Sequence, residues 1–363
     1  MEQWDTPSVL IDLDVLDRNL RETANAAARA GVRLRPHTKT HKSVWIAKEQ
    51  LRYGACGITV AKLGEAEVMA EAGIEDILIA FPVIGAPKLE RLARLLDKAK
   101  ITLSTDDLDV ARQLSSFGTS INRDILLYVD VNTGLNRCGK EPGEQSAELI
   151  KQIAQLPNIR VTGLMTHSGH AYGFNDDAAL REIAKQEAES LLLTKRKAEE
   201  AGIVIEEVSV GSTPTSKYVA DVAGMGVTEM RPGAYVFGDG TQWTMGLIGQ
   251  EQLAMTIVAT VVGRPRPGTI IIDSGTKTLS SDVSKYHAGY GHILGHEDAI
   301  IERLSEEHGI VTVPDNSVFE IGQQVQIVPN HCCVVTNLHD RLLGVRGGRF
   351  EKWMTVDARG RVR

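Results

Sequence analysis

The sequence predicts an α/β protein in which an N-terminal (β/α)8 TIM barrel is followed by a C-terminal all-β domain. Two observations predict it. Before residue 245, eight short and mostly apolar runs alternate with helical runs, which is the pattern of βαβ units around a parallel sheet. After residue 250, helical periodicity fades and β-like runs broken by glycine and proline replace it. Eight strands within about 230 residues favour a closed barrel over an open sheet.

The barrel elements follow one another in a regular series. A helix over residues 14–30 carries Leu16 and Leu20 at helical spacing and stops at Gly31. Short apolar runs predict the strands, at residues 32–37, 56–60, 76–82, 100–104, 124–131, 159–167, 204–212 and 226–237. Helical periodicity predicts the helices between them, at residues 46–55, 64–73, 87–99, 106–118, 146–156 and 177–201.

The C-terminal region lacks this alternation. Its β-like runs predict strands at residues 253–263, 268–275, 309–314, 323–330, 341–350 and 350–358. A further strand over residues 6–14 has no parallel partner in the barrel series, so we expect it to join the β domain. The predicted domains are therefore a barrel over residues 10–245 and a β domain over residues 246–363. The N-terminal segment 1–9 is expected to belong to the β domain.

Composition excludes several classes of protein. The hydrophobic share of 42% and the charged share of 24% are those of a globular chain. A net charge of −7 argues against a nucleic-acid partner, because such proteins need a basic surface. Four cysteines, two of them adjacent, do not make a disulfide framework. With no signal peptide and no apolar run of about 20 residues, we expect a cytoplasmic protein without a membrane partner.

The basic run at residues 33–42 is the most unusual segment of the chain. In an extended chain, four alternate residues would share one face: Arg33, Arg35, His37 and Lys39. They would lie at the end of the first barrel strand, where such barrels carry catalytic residues. A lysine crowded by cations is partly neutral, and so is nucleophilic and able to form a Schiff base. The alternative is a solvated basic loop.

Two later turns offer hydrogen-bond donors for a phosphate. Gly211, Ser212 and Thr213 follow the seventh strand, and Gly233 follows the eighth. Phosphate sites recur after these two strands in barrels of this type, and backbone N–H groups with hydroxyl groups suit the anion. Each turn alone is more readily explained as an ordinary turn, but the two together with Lys39 favour an anionic cofactor.

Four further residues are candidates for chemistry. His331 and Cys333 are two residues apart, so in an extended chain they face one side while Cys332 faces the other. Imidazole with thiolate suits zinc, although a buried histidine followed by two small core cysteines is the alternative. His167 ends the sixth strand and could serve as a general base or as a structural histidine. Arg137 follows the fifth strand and could bind a carboxylate or remain a surface arginine.

Together these pieces resemble a known family. A barrel followed by a β domain, with a lysine after the first strand, looks like the alanine racemase fold of pyridoxal-phosphate enzymes. A narrower resemblance, to the metal-dependent branch that contains D-threonine aldolases and D-serine dehydratases, rests on the segments RPHTKTHK, GSTPT, RPGAY and PNHCC. The resemblance covers nearly the whole chain and is specific in its combination of the first segment with a distal His-x-Cys pair.

The resemblance implies a role for each candidate residue. Lys39 would hold pyridoxal 5'-phosphate and act in catalysis together with His167. Contacts to the cofactor phosphate are implied for Ser212, Thr213, Gly233 and Tyr235, and contacts to its ring or to the substrate for Arg137, His167 and Tyr172. His331 and Cys333 would bind a divalent metal, with zinc favoured and manganese or magnesium as alternatives. A homodimer is also implied.

The activity implied is that of a carbon lyase for D-3-hydroxy amino acids. Residues 58–80 and 337–353 look more like aldolase-type members, which cleave the substrate to glycine and an aldehyde. Residues 167–173 and the His-x-Cys pair look more like dehydratases (ammonia-lyases) of D-serine or 3-hydroxy-D-aspartate. We therefore expect a D-threonine aldolase-like enzyme, with the dehydratase as the alternative. A racemase would leave the His-x-Cys pair without a role, and a non-catalytic cofactor carrier would resemble the barrel alone.

Overall fold

A computed structural model describes residues 4–363 of the chain. Its residues pack into two compact units, which we call the barrel unit and the β unit. The barrel unit contains residues 22–39, 46–233 and 360–363, and the β unit contains the residues up to 21, 40–45 and 234–359. The domain boundary that we place between residues 245 and 246 stays a prediction. No helix from residue 4 onward is long and apolar enough to cross a membrane.

The chain begins with strand β1 (Ser8–Asp12) and helix α1 (Leu13–Ala30). Eight parallel strands then follow: β2 (Arg33–Leu34), β3 (Ile58–Val60), β4 (Asp76–Ile79), β5 (Lys100–Thr105), β6 (Ile125–Asp130), β7 (Ile159–Met165), β8 (Glu207–Val210) and β9 (Glu229–Met230). Their order is β2-β9-β8-β7-β6-β5-β4-β3. A parallel bridge between His37 and Thr59 connects the two ends of this series. The closed ring confirms the predicted (β/α)8 barrel.

Six helices of this series occupy nearly the predicted positions, and two further short helices after β8 were not predicted. They are α2 (Val44–Arg52), α3 (Leu63–Glu71), α4 (Ala86–Leu96), α5 (Leu108–Ile121), α6 (Glu144–Ala154), α7 (Asp177–Glu200), α8 (Thr213–Ser216) and α9 (Val219–Ala223). Helix α5 shows why they form: the Asp107 carboxylate caps its first turn, and Asn122 ends it in the left-handed conformation. Between these caps, Val110, Leu114 and Phe117 recur at helical spacing and are buried.

The β unit follows with strands β10 (Met255–Arg266), β11 (Thr269–Ile272), β12 (His292–Ile293), β13 (Ile300–Leu304), β14 (Gly309–Thr312), β15 (Gln324–Val328), β16 (Arg341–Arg346) and β17 (Arg349–Thr355). Its short helices are α10 (Gly240–Thr244), α11 (Thr276–Leu279) and α12 (Cys332–Leu338). The sheet order is β11-β14-β13-β12-β15-β10-β1-β16-β17, and an additional β10–β11 pairing closes six of the strands into a ring. Strand β1 lies between β10 and β16 in this sheet. The all-β domain predicted from the sequence is thus confirmed.

Candidate active site

The basic segment after α1 differs from the expected extended strand. Strand β2 ends at Leu34, and residues Thr38–Thr40 form a 3-10 turn. Arg35 is buried, with its Nε 2.7 Å from Glu229 Oε2, and it also pairs with Asp76. Arg33 pairs with Glu207. The prediction that these arginines crowd Lys39 on one face is therefore wrong, because carboxylates from distant strands neutralise them.

Lys39 nevertheless lies near His167, another predicted site residue of the barrel unit. Its backbone N–H donates to Nδ1 of His37, which precedes the 3-10 turn, at 3.3 Å. Its charge acts on His167, whose pKa falls from 6.5 to about 3 because burial and the nearby Lys39 ammonium both disfavour the imidazolium. The structure thus brings together the residues at the ends of the first and sixth predicted strands.

The hydrogen bond made by His167 identifies its proton-bearing nitrogen. Nδ1 lies 3.2 Å from the carbonyl oxygen of Gly211, and a carbonyl oxygen can only accept. Nδ1 therefore carries the proton, and Nε2 of the neutral ring keeps an unshared electron pair. Nε2 is therefore the ring nitrogen that can accept a hydrogen bond, and the low pKa makes it a weak base.

Arg137 is exposed and lines a small cavity at the ends of strands β6 and β7. Asp130, Thr166 and His167 line the same cavity. Burial raises the pKa of Asp130 to about 6, and the charge of Arg231 opposes that rise. Tyr172 lies half-buried in the 3-10 turn Gly169–Gly173 that follows β7.

The turn after β8 has the buried hydroxyl groups that the sequence suggests. Ser212 and Thr213 are both buried, and Ser212 begins helix α8. The backbone N–H of Gly233 donates to Thr213 Oγ1 at 3.3 Å, so the two predicted turns of the barrel unit are in contact. Tyr235, in the 3-10 turn Ala234–Val236, is buried within the β unit.

Sequence reasoning missed the buried Glu187 that supports this turn. Its carboxylate accepts the backbone N–H of Gly211 at 2.8 Å, and burial raises its pKa. The Ser168 hydroxyl lies 3.2 Å from that of Ser212 and 3.1 Å from that of Thr215. Glu187 lies in the middle of α7. The sequence shows only that a charged residue occupies a position on the inward face of that helix.

In the β unit, His331, Cys332 and Cys333 place their potential metal-ligating atoms within 4.8 Å of one another. The expectation of an extended chain here is wrong. His331 is the N-cap of α12, and both cysteines lie in the first turn of that helix. Three consecutive residues can therefore surround one point, where a strand would send the middle one to the opposite face.

The two cysteines have different environments. Cys332 is fully buried, and its pKa is raised well above the ordinary value by Cys333 beside it and by burial. Cys333 is half-buried, with its Sγ 3.2 Å from Thr40 Oγ1. Burial thus disfavours the Cys332 thiolate, and Cys333 is the more accessible of the two thiols.

A second residue that the sequence did not reveal is Asp239, which precedes α10. Its carboxylate is fully buried and lies 3.1 Å from His331 Nδ1. Hydrogen bonds from His331 and from two backbone N–H groups outweigh burial and lower the pKa of Asp239. A single acidic residue 92 positions before its partner carries no spacing signal.

Comparison with known proteins agrees with this fold. Residues 11–241 match the model of the alanine racemase N-terminal domain, and residues 254–345 match a putative serine dehydratase domain. A D-threonine aldolase of Arthrobacter sp is 32% identical over 98% of this chain and 93% of its own. The crystal structure of D-threonine aldolase from Filomicrobium marinum has a TM-score of 0.91 and 33% identity, covering 99% of this chain and 97% of that chain.

A cysteine-to-alanine mutant of D-threo-3-hydroxyaspartate dehydratase, in a metal-free form, is also similar. It has a TM-score of 0.90 and 30% identity, covering 97% of this chain and 98% of that chain. The chain therefore belongs to the alanine racemase-like, fold-type III family of pyridoxal-phosphate-dependent enzymes, in the branch that contains D-threonine aldolases and D-serine dehydratases.

Proposed function

We propose that this chain is a pyridoxal-phosphate- and divalent-metal-dependent carbon lyase for D-3-hydroxy amino acids, acting like a D-threonine aldolase to give glycine and an aldehyde. The observation that carries the proposal is the set of His331, Cys332 and Cys333, whose donor atoms lie within 4.8 Å of one another. Relatives named as D-threonine aldolase and D-threo-3-hydroxyaspartate dehydratase support the substrate class.

The barrel unit fits pyridoxal 5'-phosphate. Lys39 would hold the cofactor through Nζ, and the buried hydroxyls of Ser212 and Thr213, with the N–H of Gly233, are the donors that a phosphate needs. We add Tyr235 to the phosphate contacts, and we assign Arg137, His167 and Tyr172 to the cofactor ring or the substrate. When bound, the cofactor supplies an electron sink for the pair released from the α-carbon.

The donor set of the β unit fits a divalent metal. His331 and Cys333 would hold it, since Cys333 is more accessible than the fully buried Cys332. Imidazole with thiolate favours zinc, and manganese or magnesium are the alternatives. Two protein ligands leave coordination positions for a substrate oxygen, where the metal would act as a Lewis acid.

The chain's own acid–base groups have separate tasks in the proposed reaction. His167 holds a proton at Nδ1 against the Gly211 carbonyl and offers Nε2 to the proton of the substrate 3-hydroxyl. Removal of that proton accompanies cleavage of the Cα–Cβ bond in an aldolase. In a dehydratase, Lys39 would instead take the proton from the α-carbon.

The dehydratase is the second candidate because a specific observation favours it. The chain carries a cysteine at position 333, and the cysteine-to-alanine mutant dehydratase that it resembles is metal-free. A non-catalytic carrier is disfavoured by the dehydratase-type domain over residues 254–345. A racemase would make no use of the donor atoms grouped at His331.

The homodimer and the cytoplasmic location expected from the sequence stay predictions. The experiment that tests the proposed activity incubates the purified enzyme, loaded with pyridoxal phosphate and zinc, with D-threonine and D-serine in parallel. Glycine and acetaldehyde from D-threonine support the aldolase. A 2-oxo acid and ammonia identify the dehydratase, and racemised substrate alone contradicts the proposal.

A further inference from the structure

We propose that Asp239 positions the metal ligand His331, holding the proton on Nδ1 so that Nε2 is the nitrogen that binds the metal. This inference rests on the proposed metal site. The residues involved all belong to the β unit. Asp239 touches neither metal nor substrate in this role and acts through His331.

Hydrogen-bond donors surround the Asp239 carboxylate. Oδ2 of Asp239 lies 3.1 Å from His331 Nδ1 and accepts the backbone N–H of Cys332 at 3.3 Å. Oδ1 accepts the backbone N–H of Gln242 at 3.0 Å. Both oxygens of this fully buried side chain are thus satisfied by donors.

These hydrogen bonds determine the tautomer of the histidine. An ionised carboxylate can only accept hydrogen bonds, so the nitrogen facing it must be the one that carries the proton. In the neutral ring, the unshared pair then lies on Nε2, which is the form that a metal requires. Metal-binding histidines commonly donate their other N–H to a carboxylate, which also makes the imidazole a stronger ligand.

The same carboxylate connects the starts of two helices. Asp239 is the N-cap of α10, and through the Cys332 N–H it also caps the first turn of α12, which carries both cysteines. The Nδ1–H and Cys332 N–H bonds end on one oxygen atom. Orientation of the imidazole ring and orientation of the α12 start are therefore coupled.

The test compares zinc affinity in wild-type enzyme and Asp239→Asn, by competition with a chromophoric zinc chelator. Asparagine keeps the size of the side chain and one accepting oxygen. If that oxygen still accepts the Gln242 N–H, the amide NH2 group faces His331 Nδ1. Nδ1 must then accept a hydrogen bond, which favours the tautomer with the proton on Nε2. We expect zinc affinity to fall by about 10- to 100-fold, and the visible spectrum of the cobalt-substituted enzyme to change.

The matched control is Asp107→Asn. Asp107 also caps a helix, and its side chain accepts the N–H groups of Asp109 and Val110 in the barrel unit. Neither of these hydrogen bonds involves a histidine ring. A loss of helix capping alone would act similarly in both variants. We expect Asp107→Asn to bind zinc as tightly as the wild type.

A measurement on the wild type keeps the test valid if Asp239→Asn does not fold. Long-range proton–nitrogen correlation spectra of histidine-labelled, zinc-loaded enzyme, assigned with His331→Gln, should show the proton on Nδ1 and zinc on Nε2. Zinc bound through Nδ1 with the proton on Nε2, or equal zinc affinity in the wild type and Asp239→Asn, overturns the role of Asp239. Wild-type enzyme that binds no zinc contradicts the proposed function itself, and with it this inference.

Discussion

At the scale of single residues, Lys39 is the centre of the proposed chemistry. Borohydride reduction of the enzyme loaded with pyridoxal phosphate should attach the cofactor permanently to Lys39, as read by peptide mapping. Lys42 is the matched control, because its Nζ donates to Asn337 Oδ1 at 2.9 Å. Lys42→Ala should keep the label and Lys39→Ala should lose it. A label on Lys42 or Lys277, or none, would show the assignment to be wrong.

His167 should make the metal- and cofactor-free protein sensitive to acid. The unfolded chain binds a proton on this histidine near pH 6.5, whereas the folded state, with its pKa lowered to about 3, does not. Between these values the unfolded state holds more protons, so the free energy of unfolding decreases as the pH falls from 6.5.

Urea denaturation at pH 7 and pH 5 checks this effect. We expect His167→Gln to lose less stability than the wild type over that interval. A variant of the exposed His308, His308→Gln, should follow the wild type. Identical slopes for wild type and His167→Gln would mean that the histidine is not held neutral.

At the scale of elements, the turn after β8 is tested by its hydroxyl groups. Thr213 Oγ1 accepts the N–H of Gly233 and is buried beside Ser212. Thr213→Val removes the hydroxyl without changing the shape much, so we expect weaker retention of pyridoxal phosphate during dialysis. Thr213→Ser keeps the hydroxyl and should retain the cofactor, as followed by its visible absorbance. Equal retention in both variants would remove this turn from the cofactor site.

The elements themselves were largely predictable because they depend on local pattern. Helix α7, expected over residues 177–201, spans Asp177–Glu200. Helix α12 was not predictable, because its residues CCVVTNL include β-branched side chains that favour a strand. Its first turn is capped by Asp239, from a distant part of the chain, and such a tertiary contact overrides local propensity.

The candidate site was predictable only in part, for a similar reason. Motif residues such as Lys39 and His331 are visible in the sequence because of their neighbours. The charge balance around them is not visible in the sequence, since Arg35 pairs with Glu229, which is 194 residues away. Which cations stay unneutralised depends on pairing between strands, and no local pattern encodes it.

At the scale of the whole molecule, the account requires both the barrel unit and the β unit for activity. Cys333→Ala should lose lyase activity and bind zinc weakly, because it removes the proposed thiolate ligand. Cys332→Ala should be much milder, since that thiol is fully buried and less accessible to a metal than Cys333. Activity and zinc content, measured on the same preparations, distinguish these variants. If Cys332 proves to be the essential thiol, the assignment of the ligand is wrong.

The central claim is that a removable divalent metal at His331 and Cys333 is needed for cleavage of D-3-hydroxy amino acids. It is tested most directly by measuring glycine release from D-threonine before chelation, after chelation and after zinc is restored, while the cofactor absorbance is followed. The account predicts that chelation abolishes glycine release, leaves the bound cofactor in place, and is reversed by zinc. Full activity in the chelated enzyme, with its zinc content shown to be zero, would contradict it.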